Sequence, residues 1–181
     1  MRVGVLRGGP GHEYEVSLQT GQSVLSNLPS KHHGRDILID KNGVWHLDGL
    51  PTSPPRIARQ VDVFFNALHG EYGEDGQVQS VLDQLGVPYT GSGLAPSALG
   101  MNKPQAKEIF QRYGLKVPPG VVLNVSSESD FNPVALARQV FNAVSPPWIV
   151  KPAAGGSSVG VFFARTTAAL APAIQSALVY S

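Results

Sequence analysis

The segment VDVFFNAL, residues 61–68, constrains the fold of this chain more than any other stretch. It is too continuously apolar to have one face in water, which is typical of a strand in the middle of a parallel sheet. A helical pattern follows over residues 74–86, with apolar residues recurring three and four positions apart: Val78, Val81, Leu82 and Leu85. The chain therefore contains a buried strand that leads directly into an amphipathic helix.

The same alternation of strand and helix patterns occurs on both sides of this segment. Residues 2–7 predict a buried strand followed by a helix, and residues 36–40 predict a second strand with a hairpin turn at residues 41–43. Residues 87–93 predict a short strand and a glycine turn. We therefore predict an α/β domain over residues 1–95, built on an open parallel Rossmann-like sheet with helices on its faces.

The pattern changes after residue 95, and residues 96–181 predict a smaller α+β unit. Its expected helices and strands are a helix at 103–113, a strand at 117–123, a helix at 133–144, strands at 147–152 and 159–164, and a helix at 167–178. Pro172 weakens the last of these helices. Three strands are few for an independent domain, so we expect this second unit to be incomplete.

Composition excludes several classes of function. The chain of 181 residues has a net charge of +1 and no cysteine. It therefore lacks the basic tract that nucleic acids or anionic lipids require, and it lacks thiolate metal sites and thiol nucleophiles. No apolar run reaches membrane-spanning length, and the amino terminus enters a strand pattern at once. We expect a soluble, cytoplasmic protein.

Two glycine turns follow predicted strands and are candidate ligand sites. In GGPGHEYEVSLQTG, residues 8–21, a glycine pair would let backbone amides approach a ligand, although Glu13 and Glu15 taken alone are better explained as helix-capping acids. The spacing of the glycines does not match a dinucleotide fingerprint. In ALHGEYGEDGQVQ, residues 67–79, Glu74 and Asp75 are expected as first-turn acids of a helix. His69 differs, because an imidazole at the end of a buried strand needs a partner, for which a ligand carboxylate or hydroxyl is suitable.

Two lysines are candidate phosphate ligands, and one of them lies within a third glycine-rich segment, VKPAAGGSSVGV at residues 150–161. Lys151 is expected to end a buried strand, and Lys103 to begin a helix after a glycine turn. A buried lysine is costly unless an anion meets it, so the pair is typical of a polyphosphate clamp. Taken alone, Lys103 is equally well explained as an exposed residue at a helix start. Ser157 and Ser158 can donate to a phosphate or position a substrate, and the Walker A order of residues is absent.

These motifs together resemble the D-alanine–D-alanine ligases of the ATP-grasp superfamily. The resemblance runs through GGPGHEYEVSL, FNALHGEYGEDGQVQSVLDQLGVPYTGSG, SALGMNK and VKPAAGGSSVGV, with a divergent stretch at residues 30–60. The ALHG, GEDG and PYTGSG block is the most specific of them. On this basis residues 1–95 correspond to the substrate-binding (pre-ATP-grasp) domain, and residues 96–181 to part of the central ATP-grasp domain.

The resemblance implies an activity and a set of residue roles. ATP would phosphorylate the carboxylate of one D-alanine, and the amine of a second would attack the acyl phosphate to give D-alanyl-D-alanine for peptidoglycan. Glu13 would hold the ammonium of the first D-alanine, His69 would lie beside it, and Ser157 would hydrogen-bond towards Glu13 and help fix the second substrate. The phosphates of ATP would be held by residues of the second unit: Lys103, Lys151, Gly155, Gly156 and Ser158.

The chain departs from the family pattern at two positions, and other parts of the family site are not found in it. Met101-Asn102-Lys103 replaces the usual Met-Asp-Lys, and GGPGHEYE replaces the commoner Gly-Gly-x-Ser-x-Glu form. In the family a carboxy-terminal domain supplies the Mg²⁺ ligands, an arginine and a closing loop, so we expect a truncated fragment with no metal ligands of its own. A relative that makes D-alanyl-D-lactate or D-alanyl-D-serine, and a non-catalytic D-alanine- or nucleotide-binding module, remain open. The resemblance also implies a homodimer.

We predict that the 181-residue chain alone has no measurable ligase activity, because Mg²⁺ ligands are required to shield the phosphates at ordinary rates. A coupled assay of ADP release in the presence of D-alanine measures this. Robust turnover would contradict the expectation.

Overall fold

The computed structural model describes residues 1–125, 131–156 and 158–180. It divides into two compact units, Met1–Met101 and Asn102–Ser181. We call these the amino-terminal unit and the carboxy-terminal unit, and each is described by itself. Within the described residues, no helix is both long enough and apolar enough to cross a membrane.

The amino-terminal unit is built on a five-stranded sheet with helices on its faces. Its elements in chain order are β1 (Arg2–Gly8), α1 (Tyr14–Asn27), β2 (His33–Ile39), β3 (Trp45–Leu47), β4 (Leu50–Pro51), α2 (Pro54–Ala58), β5 (Val63–Asn66), α3 (Gln77–Leu85) and α4 (Leu94–Met101). The strand order is β4-β3-β2-β1-β5. The predicted α/β class is therefore confirmed.

The sheet has a parallel centre and an antiparallel edge. Strand β1 pairs in parallel with β2 and with β5, and β3 and β4 continue the sheet in antiparallel fashion. The hairpin predicted at residues 41–43 joins β2 to β3, where the Asp40 carboxylate accepts hydrogen bonds from the amides of Asn42 and Val44. Residues 87–93 contribute only an isolated parallel bridge between Phe64 and Tyr89. The open sheet is thus mixed rather than wholly parallel.

Both faces of the central strands are covered, which explains their continuous apolar sequence. On one face Leu6 and Phe64 pack with Val78 and Leu82 of α3. The cluster on the other face contains Val5 and Ala67 with side chains from α1, among them Val24 and Leu25. A strand buried on both faces cannot alternate polar and apolar residues.

A single hydroxyl ties α1 to the sheet at the carboxyl ends of two strands. Ser17 is fully buried; its Oγ accepts from the amide of Gly8 at 2.8 Å and donates to the carbonyl of Ala67 at 2.8 Å. These groups belong to the last residue of β1 and to the residue after β5. The Ser17 hydroxyl therefore fixes the position of helix α1 relative to the carboxyl ends of β1 and β5.

The carboxy-terminal unit packs two of its helices and a two-stranded antiparallel sheet around its own core. Its elements are α5 (Lys103–Arg112), α6 (Pro133–Ala143), β6 (Trp148–Val150), β7 (Phe162–Ala164) and α7 (Thr167–Leu178). The core contains Trp148, Ala164, Leu170 and Ile174. The cross-strand pair Ile149 and Phe163 is 63% and 54% exposed, so this sheet is apolar on an uncovered side as well.

Two segments of this unit, residues 117–123 and 167–178, can be compared with their predicted secondary structure. The strand predicted at residues 117–123 is wrong, because these residues form no helix or strand, and Pro118 and Pro119 there lack the amide hydrogens that a ladder needs. The helix predicted at residues 167–178 is confirmed despite Pro172, since burial of Leu170, Ala173 and Ile174 stabilises it. Of the three strands expected, the described residues form two.

We expect Ser17→Ala to lower the free energy of unfolding of the amino-terminal unit by about 2–4 kcal/mol, because two buried backbone groups lose their partner. Urea unfolding followed by the fluorescence of Trp45, in a Trp148→Phe background, reports this unit. Ser23→Ala, an exposed change on the same helix, serves as the control and should stay within about 0.5 kcal/mol. Equal effects of the two substitutions would contradict the bridging role of Ser17.

Candidate functional site

The turn after β1 is set by two glycines, but their amides serve the fold. Gly8 and Gly9 have φ of +88° and +97°, and a Cβ on Gly8 would lie 2.3 Å from the carbonyl oxygen of Ile39. The amide of Gly8 donates to Ser17, and that of Gly9 donates to Ile39 at 2.8 Å. The expectation that this glycine pair offers its amides to a ligand is therefore wrong.

Glu13 lies directly before α1, and its side chain does not cap the helix. Its carboxylate lies against Gly70 instead, where an added Cβ would sit 2.5 Å from Oε1. Gly70 has φ of +63°, a conformation that favours glycine. The capping interpretation of Glu13 is thus wrong, and the carboxylate lies beside the His69–Gly70 turn at the carboxyl edge of the sheet.

His69 is half-buried and has a hydroxyl partner from the chain itself. Its Nε2 lies 2.8 Å from Oγ1 of Thr20, a residue of α1. The predicted partner was a hydroxyl or carboxylate of a ligand. Thr20 was not predicted, although the spacing from Ser17 to Thr20 places both hydroxyls on neighbouring positions of one helix face.

The loop of residues 70–76 is stabilised by hydrogen bonds from backbone amides to its own carboxylate side chains. Glu74 and Asp75 precede α3, which begins at Gln77, so their predicted place in the first helical turn is wrong. Glu74 Oε2 accepts from the amide of Gly70 at 2.7 Å. The Asp75 carboxylate accepts from the amides of Tyr72 at 2.9 Å and Gln77 at 3.0 Å. These bonds fix the loop that carries Gly70 against Glu13.

Two side-chain amides that the sequence analysis did not single out support the same loop. Asn66 Nδ2 and Gln79 Nε2 both donate to the carbonyl of Gly73, at 2.9 Å and 2.8 Å. Gln79 is buried on α3. Asn66 and Gln79 could have been selected from the sequence, because each is an amide side chain within an otherwise apolar strand or helix face.

The polar groups at this edge are mainly hydrogen-bond acceptors. The amides of Gly8, Gly9 and Gly70 are used within the fold, whereas Glu13 and His69 place a carboxylate and an imidazole there. A cationic donor such as an ammonium group suits this arrangement better than an anion does.

In the carboxy-terminal unit, Lys103 joins the start of α5 to the glycine-rich loop. Its amide donates to the carbonyl of Ala153 at 2.9 Å, and its Nζ donates to the carbonyl of Gly155 at 2.7 Å. Asn102 caps α5 by accepting from the amide of Gln105 at 3.1 Å. Since asparagine and aspartate are equally good caps, the departure from Met-Asp-Lys leaves Lys103 in place. Helix α4, and not the expected glycine turn, precedes it in the chain.

The two lysines of this unit form a local concentration of positive charge. Burial lowers the pKa of Lys103, and the charge of Lys151 lowers it further. Lys151 follows β6 and is exposed, so the expectation that it is buried at a strand end is wrong. Although Lys151 is exposed, its ammonium group still repels that of Lys103, and a bound anion would reduce this repulsion.

The loop after Lys151 contains two residues in the left-handed region of backbone conformation, and its backbone is open to a ligand at Gly155. Gly155 has φ of +98° with open space around its Cβ position, and Ser158 has φ of +62°. Gly156 lies between them in the chain. Ser157, to which a catalytic role was assigned, lies outside the described residues. In the part of the chain that the structure describes, no group of three or more His, Cys, Asp or Glu residues could hold a metal ion.

Comparison with known proteins agrees with these motifs. Sequence models described as D-ala D-ala ligase N-terminus and D-ala D-ala ligase C-terminus match residues 49–92 and 109–181. A D-alanine–D-alanine ligase of Desulforamulus reducens is 36% identical over 180 residues, covering 99% of this chain and 55% of the relative. The chain belongs to the D-alanine–D-alanine ligase family. A ligase of Cupriavidus necator is 42% identical over 160 residues, which cover 88% of this chain and 44% of that protein.

Solved structures of the ligase family show the same fold. The D-alanine-D-alanine ligase of Coxiella burnetii matches with a TM-score of 0.83 at 24% identity, covering 100% of this chain and 61% of that one. The VanG D-Ala:D-Ser ligase of Enterococcus faecalis matches with a TM-score of 0.79 at 27% identity, covering 98% of this chain and 59% of that one. The chain spans about half the length of the curated relatives it matches.

Proposed function

We propose that this chain supplies the D-alanine-binding and phosphate-binding parts of an ATP-dependent ligase that makes D-alanyl-D-alanine for peptidoglycan, in the cytoplasm. The observation that carries the proposal is the similarity to a curated D-alanine–D-alanine ligase over 180 residues at 36% identity. The family resemblance extends the proposal to a homodimer.

The amino-terminal unit would bind the first D-alanine. The Glu13 carboxylate, adjacent to Gly70, would accept from the substrate ammonium, and His69 would lie beside it. A charge-assisted hydrogen bond of this kind orients the substrate as well as binding it. The carboxylate of that D-alanine would then be the nucleophile.

The carboxy-terminal unit would bind the phosphates of ATP. Lys103 and Lys151 provide two positive charges, and the burial that lowers the pKa of Lys103 makes an anionic partner favourable. Gly155, Gly156 and Ser158 belong to the loop that would approach the phosphates, with Ser157 assigned to the second substrate. Preplaced cations of this kind stabilise the negative charge that accumulates during phosphoryl transfer.

The proposed reaction has two steps. A carboxylate oxygen of the first D-alanine bonds to the γ-phosphorus while the bond to ADP breaks, which gives an acyl phosphate. The amine of the second D-alanine then attacks the carbonyl carbon and loses a proton, and phosphate leaves. Mg²⁺ shields the phosphates in such reactions, but the described residues form no site for it, so no step is assigned to the ion.

A second candidate has a specific observation in its favour. The VanG D-Ala:D-Ser ligase shares 27% identity and a TM-score of 0.79 with this chain, so a ligase that takes D-serine as second substrate has the same fold. Mass spectrometry of the products formed from D-alanine, D-serine and D-lactate separates these candidates.

The function is tested in a fusion of residues 1–181 to the remaining carboxy-terminal part of the Desulforamulus reducens ligase. We expect D-alanine-dependent ADP release, and we expect Lys151→Ala to lower kcat/KM for ATP at least about tenfold through loss of a phosphate contact. The matched control is Lys116→Ala, an exposed lysine of the same unit. Unchanged kinetics in Lys151→Ala would refute its role, and D-alanine-independent turnover would refute the function.

A further inference from the structure

The contact between Thr20 and His69 bears on which nitrogen of the imidazole carries the proton. Thr20 lies in α1 and His69 shortly after β5, and both are half-buried. The 2.8 Å separation between Thr20 Oγ1 and His69 Nε2 can be a hydrogen bond in either direction, depending on the imidazole tautomer.

The number of protons on the threonine decides the direction. Thr20 Oγ1 donates to the carbonyl of Val16 at 3.1 Å, one turn earlier in the helix. A hydroxyl has one proton and two lone pairs, so a hydroxyl that already donates can only accept from a second partner. Because the Val16 carbonyl can only accept, one hydroxyl proton satisfies both contacts only if His69 Nε2 is the donor, and in a neutral imidazole this leaves Nδ1 with an unprotonated lone pair.

The surroundings of His69 leave that lone pair available. Among the residues that the structure describes, the hydrogen-bond contact of the His69 ring is made by Nε2 and not by Nδ1. The neighbouring amide of Gly70 already donates to Glu74, and the carboxylate of Glu13 lies against Gly70. Both His69 and Glu13 are thus hydrogen-bond acceptors at the same turn.

We propose that Thr20 is a positioning residue that fixes His69 with its proton on Nε2, so that Nδ1 acts as an acceptor. The ligand class that this acceptor and the Glu13 carboxylate would recognise together is a primary ammonium group. The identity of that ligand as the first D-alanine rests on the proposed function, whereas the assignment of the tautomer does not.

The tautomer is measured on the ¹⁵N-labelled 181-residue chain by long-range ¹H–¹⁵N spectra, under alkaline conditions in which an imidazole is neutral. Loss of the His69 signals in His69→Asn assigns them. We expect the proton on Nε2, and we expect Thr20→Val to speed the solvent exchange of that proton at least about tenfold, because its acceptor is gone. Thr20→Ser keeps the hydroxyl and should restore exchange to within about twofold.

Thr167→Val, at an exposed threonine of the carboxy-terminal unit, is the control and should leave the His69 signals unchanged. A proton on Nδ1 in the unsubstituted chain, or equal exchange in Thr20→Val, would overturn the inference. A helix-stabilising role alone would not alter the tautomer, so the spectra separate positioning from stability.

The ligand is tested in the fusion enzyme. We expect Thr20→Val to raise KM for D-alanine about tenfold while kcat changes less than twofold, because a misdirected imidazole weakens binding of the ammonium. An unchanged KM would overturn the ligand assignment. A fusion without any turnover would count against the proposed function, while the tautomer measured on the chain alone would still decide the role of Thr20.

Discussion

The buried hydroxyl of Ser17 is the interaction on which the geometry of the amino-terminal unit depends. By joining the amide of Gly8 to the carbonyl of Ala67, it sets α1 against the ends of β1 and β5. Glu13 lies directly before α1 and His69 follows the last residue of β5 by three positions, so the two hydrogen bonds of Ser17 fix the spacing between their backbones. Apolar packing on both faces makes the sheet stable, but it does not determine where these two side chains lie.

The two units differ in the kind of polar group that they present. Acceptors dominate at the strand ends of the amino-terminal unit, because the glycine amides there are already bonded. The carboxy-terminal unit presents lysine cations and a glycine-rich loop of open backbone. An amino acid has an ammonium group and a nucleotide has phosphates, so the charge of each unit is compatible with one substrate class of the proposed reaction. The difference in charge between the two units comes from their side chains and hydrogen bonds. The fold alone, with ligand sites at strand ends, would permit a site for a cation or for an anion.

Sequence periodicity predicted the elements with strong apolar patterns. Strand β1, helix α3, the hairpin after β2 and helix α7 follow from burial, which local sequence reports directly. Helices α2 and α4 were not predicted, and Pro54, Pro55 and Pro96 lie in their first turns. A proline in the first turn of a helix loses no hydrogen bond, which explains why these helices form.

The sequence pointed to candidate site residues whose chemistry is local, and it did not point to those that act through neighbours. His69 and Lys103 could be selected from their types and positions, but Thr20, Asn66 and Gln79 act through partners distant in sequence. The burial expected for Lys151 was wrong for a similar reason, because the sheet of β6 and β7 has an uncovered face. A local apolar sequence does not reveal whether anything packs above it.

Recognition of an ammonium group by Glu13 can be measured by comparing two ligands in the fusion enzyme. D-alanine and D-lactate differ in having an ammonium or a hydroxyl, and Glu13→Gln removes the negative charge with little change in shape. We expect this substitution to weaken D-alanine binding at least about tenfold and D-lactate binding less than twofold, since only the first loses a charge-assisted hydrogen bond. Equal losses for both ligands, or no loss for D-alanine, would contradict the account.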